Sequence, residues 1–183
     1  LYRLTAAVRS GNWSAIRAAA ARIATDQQDD NRPQVERLAA TDWSTVTDVV
    51  IFYGTNDFKG NVPIGQPVDM TSATFTGALN LAVRDLLLTH PHLRIMLVTP
   101  MWRARVHADG DDSDATSSGG QFLRAFADAV LDRARDYHLT ACDTYSGLGI
   151  NRLNWQHYLA DGLHPRTAQG VTLLASRIAG ALI

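Results

Sequence analysis

The chain has 183 residues, enough for one domain with a sizeable core. Hydrophobic residues make up 46%, charged residues 19%, and the formal net charge is −1 with acids and bases interspersed, so there is no basic footprint for nucleic acid or an anionic membrane. Cys142 is the single cysteine, which excludes an intrachain disulfide and a Cys-based zinc site, and no run approaches the ~18 apolar residues of a membrane span.

The chain opens on "LYRLTAAVRSG" without an initiator methionine and in helix-forming sequence, as expected of a processed, truncated or partial chain. Residues 3–24 are alanine-rich. Gly11-Asn12 breaks this run, and Ser14 is expected to cap a second helix with Ile16, Ala20 and Ile23 as its apolar positions. Pro33 opens a short helix reaching about Ala40. "TDVVIFYGTND" then reads as a strand buried on both faces, because its apolar run does not alternate. Leu79, Val83, Leu86 and Leu87 have helical spacing that stops before Pro91. "LRIMLVTP" is a second buried strand, and "HADGDDSDATSSGG" a polar, acidic, glycine-rich loop. Phe122, Phe126, Val130 and Leu131 mark a helix from about Gln121 to Tyr137, followed by a short strand, "LTACDTY". The last helix is expected to start with Pro165 in its first turn and to turn Val171, Leu174, Ala175, Ile178 and Leu182 inward.

Strands alternating with helices imply a three-layer α/β/α fold with a parallel sheet, in one domain over residues 1–183 and without internal repeats. In open α/β sheets ligand sites gather beyond the C-terminal ends of strands. Two short motifs lie there. "YGTND" is by itself a strand-ending turn, in which Asn56 could alternatively offer its amide N–H to a developing oxyanion. "DGLHP" is by itself an Asx turn before a helix, or a pair in which Asp161 orients His164 as a general base.

Taken together and in this order, "GTND" and "DGLHP" resemble the third and last blocks of the SGNH (GDSL-like) hydrolases, a family of esterases and acylhydrolases. "GNWSAIRAAA", "DWSTVTDVVIFYGTNDF" and "LVTPMWRAR" resemble its connecting sequence, so the similarity spans nearly the whole chain. The resemblance implies a flavodoxin-like sheet in which His164 is the catalytic base, Asp161 its orienting partner and Asn56 an oxyanion donor. Gly54 would then permit the tight turn and Asp57 brace the loop. It implies no metal or organic cofactor, and a small acyl ester or acetylated sugar as substrate.

The family's Gly-Asp-Ser block and the glycine of its next block are missing from the sequence. Ser10, Ser14 and Ser44 read as helix or turn residues, and Ser146 follows the third strand without any mark of activation. The nucleophile and the N-terminal strand or strands are therefore expected upstream of Leu1. The family's strand order then predicts that an upstream segment, another chain or a second copy covers the edge of the strand at residues 48–53. The alternative is a non-catalytic remnant or a carbohydrate- or acyl-binding module. A metal-dependent phosphoesterase is disfavoured by the few carboxylates and histidines at the strand ends.

Trp102 and Arg103, following the second strand, are candidates for lining the substrate cleft; equally, Trp102 can pack the loop and Arg103 pair with a surface acid. Asp109–Asp114 only superficially resembles a calcium loop, lacking the glycine and glutamate that an EF-hand needs at the positions of Asp114 and Gly120. His90 and His92 suit a helix C-terminus, while His107, His138 and His157 read as surface residues and Trp13, Trp43 and Trp155 as packing residues.

Overall fold

The computed structural model describes residues 1–27, 30–104, 113–115 and 119–182. Three helices lead the chain: α1 (Tyr2–Ser10), α2 (Ser14–Gln27) and α3 (Arg32–Ala40). Strand β1 (Asp48–Phe52) runs into a short helix α4 (Thr55–Lys59), followed by α5 (Phe75–Thr89), β2 (Arg94–Val98), α6 (Leu123–Asp136) and β3 (Thr140–Cys142). Two further short helices, α7 (Thr144–Gly147) and α8 (Trp155–Tyr158), precede the long C-terminal helix α9 (Ala168–Leu182). The strands form a parallel sheet in the order β1-β2-β3, with Val49 opposite Ile95 and Ile51 opposite Leu97. Parallel strands need helical crossovers, here α5 and α6 on one face of the sheet, while α9 lies on the other.

The two faces differ in how well they are covered. Ile51, Ile95 and Leu97 point into a core built from Phe75, Leu79, Val83 and Leu86 of α5 and Phe126, Val130 and Ala134 of α6. Each of the larger of these side chains contributes about 1.5–3 kcal/mol by leaving water. Met96, Val98 and Cys142 point the other way, toward Ile178 and Ala181 of α9.

Helix α9 lies over β2 and β3, and the corresponding face of β1 is bare: Val50 is 41% and Phe52 37% exposed. The expected double burial therefore holds for β2 but not for β1. The reason is tertiary, since no described element packs on β1 at that face or pairs with its outer edge.

Local chemistry moved several other boundaries. Gly11, in the left-handed region at φ 68°, ends α1 as the sequence suggested. The Asn12 carboxamide oxygen takes the Ser14 N–H and hydroxyl, so Ser14 is the first residue of α2 and not its cap. Pro165 lies outside α9; Thr167 caps that helix instead, its hydroxyl accepting the Gly170 N–H at 3.0 Å. Val171 and Phe122, both expected inward, are 51% and 44% exposed, and Leu123 fills the place expected for Phe122. Trp13, by contrast, is buried with Ala7, Ala20 and Val35 beneath the first three helices.

Candidate active site

Beyond the C-terminal end of β1 the chain must turn sharply, and Gly54 makes that possible. Its φ of 123° is open to glycine, and a Cβ there would stand 3.1 Å from Cγ of Pro100. The turn leads directly into α4, with Phe58 N–H donating to the Gly54 carbonyl at 2.9 Å. Asn56 in the first turn is exposed, and its side-chain amide makes no hydrogen bond to another described residue. Asp57 is half-buried; burial pushes its carboxyl above the usual range, and its carbonyl accepts the Val62 N–H at 3.0 Å.

The second half of the site comes from the loop between α8 and α9. Gly162 turns the chain at φ 79°, letting the residues on either side of it face each other. His164 Nδ1 lies 2.6 Å from Oδ2 of Asp161. The other carboxylate oxygen, Oδ1, accepts the backbone N–H of His164 at 2.7 Å and of Leu163 at 3.0 Å. The imidazole first, and then these N–H donors, hold the Asp161 carboxyl well below the usual carboxylate range. An ionised Asp161 in this position fixes the proton on Nδ1 and leaves Nε2 as the basic nitrogen.

His164 and Asn56 line one cleft of about 190 Å³ together with Phe52, Tyr53, Pro100 and Leu163. Thr55, Met101 and Pro165 complete its wall, so the lining is mostly apolar with a few polar groups. The two motifs, whose cleft residues Asn56 and His164 are 108 positions apart in sequence, thus meet where the sheet topology directs them. Met101, Pro100, Phe52 and Tyr53 join them with no motif of their own; their signal in the sequence is their position at the ends of β1 and β2.

Trp102 and Arg103 stand behind this wall, at 4% and 3% exposure. The Trp102 indole donates to Oδ1 of Asp114 at 3.3 Å, and Arg103 Nη1 donates to the Thr55 hydroxyl at 3.0 Å. Most of Asp109–Asp114, and His107, lie outside the described residues. No described serine lines the cleft. Ser10 bonds the Ala6 carbonyl, Ser14 and Ser44 bond Asn12 and Asp42, and the Ser146 N–H donates to Asp143, which caps α7. Among the described residues no three His, Cys, Asp or Glu side chains gather as a metal site, and no helix is long and apolar enough to cross a membrane.

A family model described as GDSL-like Lipase/Acylhydrolase matches residues 3–169. Among solved structures, one crystal structure has 31% identity and a TM-score of 0.70, covering 80% of this chain and 68% of its own. A protein from Lactobacillus plantarum has 22% identity and a TM-score of 0.67, over 80% of this chain and 70% of that one. A protein described as a possible lipase from Chitinophaga pinensis has 21% identity and a TM-score of 0.62, over 82% and 76%. A comparison with curated proteins found no match.

Proposed function

Because this chain belongs to the GDSL-like lipase/acylhydrolase family, we propose that it is the major part of a serine-dependent ester hydrolase acting on a small acyl ester or acetylated sugar. The observation that carries this reading is the Asp161–His164 pair, at 2.6 Å, opening onto the same cleft as the amide of Asn56, which has no partner among the described residues. In the reaction a serine hydroxyl attacks the acyl carbonyl while His164 Nε2 takes its proton. Asp161 holds the ring and stabilises the imidazolium. The carbonyl oxygen becomes an oxyanion, to which the Asn56 amide donates. Collapse of this intermediate expels the alcohol, protonated by His164, and leaves an acyl-serine. Water, deprotonated in turn by His164, attacks the acyl-serine and releases the acid. The apolar wall of Phe52, Tyr53, Met101 and Leu163 suits the acyl part of the substrate.

The serine is supplied from upstream of Leu1, on a segment that pairs with the free edge of β1. Two features support this placement. An apolar groove of about 180 Å³ lies beside that strand, lined among others by Leu4, Val8, Trp43, Val49 and Ile51. Leu1 also lines one cavity with Tyr53, Asn56 and Asp57, beside the start of α4.

A fluorophosphonate probe tests the assignment, because it labels only an activated serine. Applied to the full-length protein, it should mark a peptide N-terminal to Leu1 and lose its target in His164→Ala. Labelling of a serine within residues 1–183, or labelling that survives His164→Ala, would contradict the assignment.

A further inference from the structure

We propose that Arg103 is a positioning residue that holds the start of α4, with Asn56, in register with the loop that carries Asp161 and His164. The inference rests on the hydrolase reading above and adds to it the part that sets the distance between its two halves.

A buried guanidinium is costly unless it is hydrogen-bonded, so its presence behind an active-site wall calls for a structural cause. Arg103 is 3% exposed and belongs to the segment that follows β2. Its Nη1 donates to the Thr55 hydroxyl at 3.0 Å and approaches the Thr55 carbonyl at 3.4 Å. Thr55 immediately precedes Asn56. The next residue along, Ala104, donates its N–H to the carbonyl of Gly162 at 2.7 Å. Gly162 immediately follows Asp161. One dipeptide therefore grips both halves of the site, each one residue away from a side chain that acts in it.

The dipeptide is itself held firmly. The hydroxyl of Ser113, 1% exposed, accepts the Arg103 N–H at 2.7 Å and donates to the Arg103 carbonyl at 2.8 Å. The Ser113 N–H donates to the same carbonyl at 2.9 Å. Burial pushes the guanidinium below its usual range, while the Asp161 carboxylate acts in the opposite direction, so the two charges interact across the site. Misplacement of a reacting group by ~1 Å can cost about 100-fold in rate, which is the scale of effect such a brace prevents.

The test is made in the full-length protein, on p-nitrophenyl acetate. Arg103→Ala should lower kcat about 100-fold with KM changed by no more than about threefold. Arg103→Lys, which can still reach Thr55, should recover the greater part of the loss. In amide NMR spectra, Arg103→Ala should move the resonances of both 55–57 and 162–164. An unchanged kcat per folded molecule, or Lys and Ala variants that behave alike, would overturn the proposal. If Arg103→Ala fails to fold, Thr55→Val removes the same hydrogen bond from the other end and is read in the same way. If wild-type turnover proves independent of His164, the hydrolase reading falls, and the resonances alone decide on Arg103. Shifts in both segments would support the coupling, and shifts confined to one would overturn it.

Discussion

His164 turns Nδ1 toward Asp161, and the proposed mechanism, which uses its Nε2, gives each polar residue of the site a separate consequence when it is changed. Asp161→Asn should lower kcat by about 10⁴-fold, because an amide favours the wrong tautomer of the ring. Asn56→Ala should cost about 10²–10³-fold in kcat, measured with an ester such as p-nitrophenyl acetate, since in the proposed mechanism it removes one oxyanion donor and no general base. Asp161 also links stability to pH. Its folded carboxyl sits below its unfolded value of about 4. The stabilisation is therefore present above about pH 4 and is lost as the pH falls below it. Urea midpoints should accordingly drop more steeply on acidification in the wild type than in Asp161→Asn. The pair itself was legible in the sequence because a carboxylate and an imidazole three residues apart in a turn can close locally. Arg103 was not. Its partners, Thr55 and Ser113, lie on other segments, and nothing in "PMWRAR" reveals that the guanidinium points inward.

The turn from β1 into α4 is the element on which the site depends most. Gly54→Ala should destabilise the protein by about 1–3 kcal/mol, read as a lower unfolding midpoint, because an L-residue is strained at φ 123° and its Cβ would press on Pro100. Strands and long helices were legible because their patterns are local: β2 is a continuous apolar run, and α5 repeats its apolar residues at helical spacing. The bare face of β1 was not legible. "DVVIF" and "RIMLV" look alike as runs, and only the seat of α9 over β2 and β3 decides which one is doubly buried. Boundaries went to the stronger local hydrogen bond. Thr167 displaced Pro165 at the start of α9, and the Asn12 side chain displaced Ser14 as the cap of α2.

At the scale of the whole molecule, the described sheet ends on an apolar strand with an open edge, the arrangement most prone to unwanted pairing. If the proposed upstream segment pairs with β1, the β1 amides that point away from β2 should be protected from hydrogen exchange. In residues 1–183 alone the same amides should exchange fast, and light scattering should report self-association. Equal exchange in the two proteins would show that the upstream segment does not cover β1. The α/β class was legible from the alternation of strands and helices, whereas the extent of the sheet was not, because it depends on what pairs with β1.

The central claim is that His164 is the general base of an ester hydrolase, and steady-state hydrolysis of p-nitrophenyl acetate by the full-length protein tests it most directly. His164→Ala should leave the fold intact, judged by an unchanged far-UV spectrum, and lower kcat by at least about 10³-fold. Turnover by the folded variant at the wild-type rate would contradict it.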